Sequence, residues 1–388
     1  LILRAQRIAA AHGRAICLAA HNFTEEHIMQ STRVRLDRRH RASLAVFATC
    51  LLSAASTHAH TFCAGNAAAI QAALDAASDG GANDNENNTI EIAIGTYSTA
   101  NNGNSEFFYN NQTTARVLDI NGGYNSDCSA ITENPALTIL DGGGATRVFE
   151  SESASGDVSL RFLTFQNGNV GTNQSGAGVE MNPSASDNGP VIFDQNIVRN
   201  NHTAYADGGF FIKLGGSGTL QFENNLVVGN SAAINVGAGA INDDGSGANI
   251  INNTFTQNTV TNMPASATGG LYFFAPNSSD TMSNNIFWGN SGFDLDTTAV
   301  LVNNDYGSDS TTPDPTSSGN VSVDPQFSSS TDFHLLPTSP LLGIGTLTPS
   351  GGLPSIDIEG HSRKSLDNKV DMGAYERGNE IFKDGFED

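Results

Sequence analysis

Between Leu160 and Asn290 the apolar residues fall in columns with no helical stripe. One column holds Leu160, Phe193, Phe222, Ile250 and Met282, and a second holds Phe165, Val198, Val227, Phe255 and Phe287. Each steps about 30 residues at a time, the interval at which repeat folds announce themselves. Short apolar segments also open at Gly178, Gly209, Gly239 and Gly270, which lie 31, 30 and 31 residues apart. Asn196, Asn225, Asn253 and Asn285 keep the same step between the two apolar columns, with Leu163 one coil earlier. Asn201, Asn230, Asn258 and Asn290 follow five residues later. Local alternation of period two means strands, and strands recurring at a fixed interval mean stacked coils about 4.8 Å apart. The pattern predicts an all-β, single-stranded, right-handed parallel β-helix.

An amide between inward apolar positions must be hydrogen-bonded. Stacking meets that demand if each Asn bonds the backbone at a bend and the Asn of the next coil. Asn196, Asn225, Asn253 and Asn285 are therefore read as a structural ladder. The glycines are read as tight corners, needing either φ > 0 or close backbone approach. A leucine-rich repeat would carry a leucine skeleton, and a propeller would carry longer blades. Dense Gly, Asn, Ser and Thr with period-two alternation exclude a helical array.

A solenoid needs its ends covered. Ala67 to Ala77, with Ile70 and Leu74 four apart, predicts a one-faced capping helix. Ile90 to Tyr97 reads as the first strand, followed by Leu118–Tyr124 and Leu137–Gly144. The segments are then 60–136 for the cap and first coils, 137–307 for the core repeats and 308–376 for C-terminal coils and cap. Ser308 to Ser318 reads as a loop, and 377–388 is a tail.

The beginning of the chain has another character. Met29 is the first methionine, and residues 1–28 before it read as an upstream extension. Arg33, Arg35, Arg38, Arg39 and Arg41 precede an apolar run from Leu44 to Ala55 and a small-residue site at Thr57-His58-Ala59. Residues 29–59 thus predict a signal peptide, export, and a mature start at His60. The run is too short for the roughly 20 residues of a membrane span, and no later segment qualifies. Phe47-Ala48-Thr49 before Cys50 makes a poor lipobox. Residues 1–59 hold eight arginines against three acids, so their removal lowers the formal charge from −22 to −27. That field repels nucleic acid and anionic lipid, and repels polyuronates unless Ca²⁺ bridges them. Cys17 and Cys50 fall before the mature start, so Cys63 and Cys128 are expected to pair in an oxidising compartment.

Thr89 to Tyr97, Gly122-Gly-Tyr with Cys128, and Leu140-Asp-Gly-Gly-Gly144 resemble secreted bacterial β-helix proteins of the pectin-lyase-like superfamily. The C-terminal part resembles its choice-of-anchor Q members through Asp324–Phe327, Asp332–Leu335, Ser339-Pro340, Asp357–Gly360, Arg363 and Asp371–Glu376. Gly343 stands where that pattern has Asp. Ile381 to Glu387 is similar to a tail on some exported proteins, implying surface sorting. The resemblance implies the architecture and no particular reaction.

The hydrolase branch of that superfamily carries Asn-Thr-Asp, Asp-Asp, Gly-His-Gly and Arg-Ile-Lys motifs. Here only Asp243-Asp244 appears, and His202 and Arg199 have no acid partner in sequence. Asp243 and Asp244 read as a solvated turn, with Ca²⁺ as the alternative if further oxygens converge. A face is the better candidate. Positions one and three after each glycine are expected inward: Val179/Met181, Phe210/Ile212, Ala240/Asn242 and Leu271/Phe273. Positions two and four are then outward: Glu180/Asn182, Phe211/Lys213, Ile241/Asp243 and Tyr272/Phe274. An outward stripe of Phe211, Ile241, Tyr272 and Phe274 beside Glu180, Lys213 and Asp243 fits sugar rings or a cell-surface partner. The alternative is that the segment after Asn258 folds over it. Two function classes follow: a non-catalytic glycan or surface-partner binder or spacer, and a polysaccharide lyase or hydrolase using Glu180, Lys213, Asp243 and Asp244. The missing acid/base motifs favour the first.

Overall fold

The coil from Thr219 to Asp243 shows how the repeat is spent. Thr219–Glu223 lies in one sheet, Leu226–Val228 in a second, Ser231–Ala232 in a short third, and Gly239–Asp243 in a fourth. All four sheets are parallel stacks: sheet I of nine strands, sheet II of eight, sheet III (the glycine-led strands) of seven, and a four-stranded sheet IV at the turn. The result is a parallel β-helix of about seven turns. The structure is a computed structural model and describes residues 59–153, 157–182, 189–262, 266–277, 279–364 and 367–377. The extension, nearly all of the leader, Cys17, Cys50 and the tail from 378 lie outside the described residues.

Both apolar columns are in register as expected, and their side chains fill the interior. Rings stack along the axis, with Phe193 on Phe222 at 5.1 Å and Phe255 on Phe287 at 4.7 Å between centroids. A buried Phe contributes about 1.5–3 kcal/mol by leaving water, so this spine dominates the favourable side of folding.

The Asn ladder is present and longer than its sequence marker. Leu163 donates its N–H to Asn196 Oδ1 at 3.1 Å, Asn196 to Asn225 at 2.9 Å, Asn225 to Asn253 at 2.8 Å and Asn253 to Asn285 at 2.9 Å. It continues through Asn304 and Asn320, which the 30-residue step does not reach because those coils are shorter. Asn201, Asn230, Asn258 and Asn290 form a second ladder.

Each rung of the first ladder follows a left-handed residue: Gln195 (φ 52°), Asn224 (54°), Asn252 (56°), Asn284 (59°) and Asn303 (53°). Asn tolerates that conformation better than other non-glycine residues because its short polar chain bonds locally. The bend sends the second amide inward to the ladder and the first outward. Sequence reading saw only the inward member of each pair.

The outward amides hold the end of the chain. After Val321 the chain leaves the stack and runs back along sheet II. Gln195 donates to Asp357 O (2.7 Å), Asn252 to Asp371 O (3.0 Å), Asn284 to Thr346 O (2.9 Å) and Asn303 to Ile344 O (2.8 Å). Asn224 accepts from Arg363 Nη2 at 2.7 Å. Phe333, Ile358 and Ala374 cover Ile197 and Leu226, while Leu335, Leu341 and Met372 cover Ile286. Gly343, standing in place of Asp, has φ 66° and donates its N–H to Asp371 at 2.6 Å. Residues 308–376 thus complete the stack only as far as Val321 and then form a strap.

At the other end, α1 (Ala67–Ala77) buries Ala67, Ile70, Ala73, Leu74 and Ala77, and Asn66 caps it by accepting from Ala69 N–H at 2.9 Å. The expected first strand from Ile90 to Tyr97 is corrected twice. Ala59–Ala64 precedes it in parallel register, and the run breaks at Ile94 into Asn87–Ala93 and Gly95–Ser98, which belong to different sheets. Cys63 and Cys128 are disulfide-bonded with Cα atoms 5.8 Å apart. The bond fastens the half-exposed first strand to the turn after Leu118–Tyr124.

Sheet III holds one larger correction. Gly178 and Gly209 are corners of close approach, since a Cβ on Gly209 would lie 2.5 Å from Ala238 O and 2.8 Å from Asn230 Cγ. Gly239, however, pairs with Phe210, not with Gly209. The shift by one residue exchanges the two faces of its strand. Ile241 and Asp243 therefore point inward and are fully buried, while Ala240 and Asn242 take the outer positions.

Inside, Asp243 accepts from Gly245 N–H at 2.7 Å and from Asn277 Nδ2 at 3.2 Å. Asp280 is buried beside it, and its carboxyl is pushed up to about 7, by burial first and then by its bond to Asp243. Raised above its ordinary 3.8, Asp280 favours the fold most when protonated. That contribution is whole below pH about 4 and is lost as pH rises to about 7. Asp243→Asn removes the like charge. Thermal melts are expected to show a flatter profile over that window and a midpoint a few degrees higher at pH 8. An unchanged profile would mean that Asp243 does not raise Asp280.

Candidate functional site

The outer face of sheet III is one continuous column. Glu150, Glu180, Phe211, Ala240, Tyr272 and Asp296 pair in register from coil to coil. Phe211 and Tyr272 are separated by the small Ala240, so two half-buried aromatic residues stand two coil rises apart, about 9.6 Å at the backbone, on either side of an alanine. The gap opens into a cleft of about 410 Å³. Asn242 lies on its floor, and Tyr205, Asp207, Asn235 and Asp296 are on its walls. Ser266, Ala267 and Thr268, from the segment after Asn258, form one rim.

The carboxylates sit in different environments. Asp207 is nearly fully buried, and burial pushes it up to about 6 against an opposing bond from Ser175, with Glu180 adding repulsion. Tyr272 is raised by burial, then by Asp296 and Asp207. Glu180 pairs with Arg147, a buried arginine that also pairs with Glu150 and lies 3.4 Å from Glu106. Arg147 donates as well to Gly176 O and Ser175 O, both at 3.2 Å. Burial, partly offset by Arg147 and reinforced by Glu106, Glu180 and Glu152, lifts Glu150 to about 7. Burial raises Glu180 in the same way.

Of the residues expected on this face, Phe211 and Tyr272 meet at the cleft. Glu180 is tied to Arg147 and faces the acidic end. Lys213 and Phe274 occupy the next outward column, both in register with Asn242, and Phe274 is 42% exposed. Asp243 and Ile241 are inside. Asp243 and Asp244 face opposite ways, buried and exposed respectively, so they do not chelate together. Among the described residues no group of three or more His, Cys, Asp or Glu is placed to hold a metal. His202 is exposed and bonds Ser231 Oγ at 2.9 Å, and Arg199 donates to Gln166 at 2.9 Å. Sequence reading missed Ala240, Asp207, Asp296 and Arg147. Ala240 was hidden by the register shift, Asp296 lies in the same column one coil beyond the last glycine-led strand, and Asp207 and Arg147 come from turns outside the repeating columns.

A second cleft of about 550 Å³ lies on sheet I beneath Pro354–Ile356 of the strap. Asp194 and Glu223 line it as in-register neighbours, with Arg161 Nε 3.8 Å from Asp194. Burial raises Asp194 to about 6, opposed by a bond from Asn224 and by Arg161. Glu223 is raised to about 8 by burial and then by Asp194.

No helix among the described residues is long and apolar enough to cross a membrane. The chain matches no protein-family model, no curated protein and no solved structure.

Proposed function

We propose that this chain is an exported, non-catalytic β-helix protein that binds polysaccharide in the sheet III cleft. The observation that carries this reading is the pair of half-buried rings held two coils apart over Ala240. Rings spaced this way flank a flat guest and present apolar faces, while Asn235 and Asn242 offer hydrogen bonds to its edges. The Cys63–Cys128 disulfide supports an oxidising destination. Membership of the choice-of-anchor Q type in the pectin-lyase-like superfamily is supported by what its motif residues do here. Asp357, Arg363, Asp371 and Glu376 are the buried polar centre of the strap.

A glycan array with the purified protein tests the reading. Wild type is expected to bind at least one polysaccharide class, and Phe211→Ala or Tyr272→Ala to weaken binding about tenfold, about 1.4 kcal/mol. Equal binding by wild type and Tyr272→Ala would refute the aromatic cleft as the platform.

A second reading, glycoside hydrolysis, is favoured by Asp194 and Glu223 alone. In-register carboxyls on adjacent coils are about 4.8 Å apart at the backbone, near the spacing a retaining pair uses. A group held protonated near neutral pH beside one that ionises matches the division into acid and nucleophile. Release of reducing ends, abolished by Glu223→Gln, would establish this reading over the binding-only one.

A further inference from the structure

We infer that the sheet III cleft selects a cationic amino-sugar glycan over neutral or uronic-acid polymers. The inference rests on the glycan-binding reading and adds the charge of the guest. Asp207 and Asp296 line the cleft, and no Lys, Arg or His lines it. Arg147, the buried cation paired with Glu180 on this face, is surrounded by Glu106, Glu150 and Glu180 and donates to Gly176 O and Ser175 O besides, so it has nothing left to offer a ligand. Lys213 is in register with Asn242 but does not itself line the cleft.

Asp207 makes the argument more than a count of acids. Its side chain belongs to a residue only 8% exposed, a Ser175 hydroxyl bonds it, and it has no ion pair among the described residues. A buried carboxylate without a counter-charge is costly, and a guest ammonium seated in the cleft would relieve that cost. The same ammonium would lie against the faces of Phe211 and Tyr272, where ring quadrupoles attract cations. A neutral sugar uses the rings and leaves Asp207 unpaired. A uronate adds a repelled charge to a chain of formal charge −22.

The test is calorimetric titration of the full protein with four hexamers: glucosamine, N-acetylglucosamine, galacturonic acid and lysine. Glucosamine hexamer is expected to bind at least tenfold tighter than the other three and to weaken as salt is added. Asp296→Asn and Asp207→Asn are expected to remove that preference, so that glucosamine and N-acetylglucosamine hexamers bind within about threefold of each other. Asn also accepts the left-handed backbone of Asp207, at φ 59°, so the second variant keeps its turn. N-acetylglucosamine or galacturonate binding as tightly as glucosamine overturns the inference and leaves the glycan cleft standing. Hexalysine binding as tightly would mean that the cleft reads basic peptides, and overturns it as well. No binding to any hexamer or arrayed glycan, with no effect of Tyr272→Ala, sinks the cleft and the inference together.

Discussion

Arg363→Met is expected to loosen the strap and lower stability by about 3–5 kcal/mol, the cost of breaking a buried ion pair from one side. Arg363 is fully buried, although it lies on a segment without regular secondary structure. Its Nε and Nη2 both donate to Asn224 Oδ1, at 3.1 and 2.7 Å, and Nη2 also reaches Ala374 O at 2.6 Å. Glu376 lies 3.7 Å from Nη1, and Asp357 and Asp371 add their fields. Those acids are themselves engaged: Asp357 accepts from Glu376 N–H at 2.8 Å, and Glu376 from Asp371 N–H at 3.0 Å. Without the guanidinium, three buried carboxyls face one another. Burial, with help from Asp371, already holds Glu376 at about 8. Raised above its ordinary 4.5, Glu376 favours the fold when protonated, a contribution lost as pH climbs from about 4.5 to 8. The variant should therefore lose most stability at alkaline pH. Lysine is a poor rescue because it cannot present the same fork of donors. Urea unfolding with limited proteolysis reads both effects, since cleavage between 325 and 376 should appear before the coils are cut. Wild-type protease resistance in Arg363→Met would mean that the apolar contacts alone hold the strap.

The ladder supplies the other large effect. Asn253→Ala is expected to cost about 4 kcal/mol from unmade bonds alone, at about 1–3 kcal/mol for each buried group left unsatisfied. Asn253 Oδ1 accepts from Asn225 N–H at 2.8 Å, and its Nδ2 donates to Phe222 O at 2.8 Å and to Asn285 Oδ1 at 2.9 Å. Removing the amide orphans Asn225 N–H and Phe222 O in a site closed to water. Asn253→Asp is expected to be worse than Ala at neutral pH, since it keeps the acceptor and turns the donor side into a charge facing two oxygens. Asn320, at the partly exposed end of the ladder, should cost less than half as much. Loss of Asn225 and Asn253 together should cost less than the sum, because the two share a bond. Equal costs at Asn253 and Asn320 would show that burial is not what gives a rung its value.

The repeat was legible because a parallel stack writes itself into sequence: in-register side chains recur at the coil length, and their columns can be read without a structure. The site was less legible. The columns on either side of Gly239 are correct, but one residue of slippage moved Ile241 and Asp243 inside and brought Ala240 to the floor between two rings. A glycine marks a corner only to within a residue, and alternation turns that small error into the opposite face. Pairings across the stack left no periodic trace. Gln195 meets Asp357 and Asn224 meets Arg363, 162 and 139 residues away. The resemblance read from the sequence singled out Asp357, Arg363, Asp371 and Glu376 and was silent about their partners. The outward amides that receive them were hidden because each stands next to a ladder residue of the same kind.

The strap also bears on how the stack comes apart and how it is assembled. A solenoid whose coils touch only their neighbours behaves as a one-dimensional chain, melting inward from whichever end is weaker. Here Gln195, Asn224, Asn252, Asn284 and Asn303, on five successive coils, are bound by one returning segment. None of those coils can leave alone without breaking a bond to a segment that its neighbours also hold, so the middle of the rod is expected to melt as a block. A chain delivered N-terminus first can stack its coils as they arrive, but the returning segment comes last. Until the bonds from Ile344 through Asp371 can form, the fold is a row of separable layers, and the returning segment converts that row into a single cooperative body.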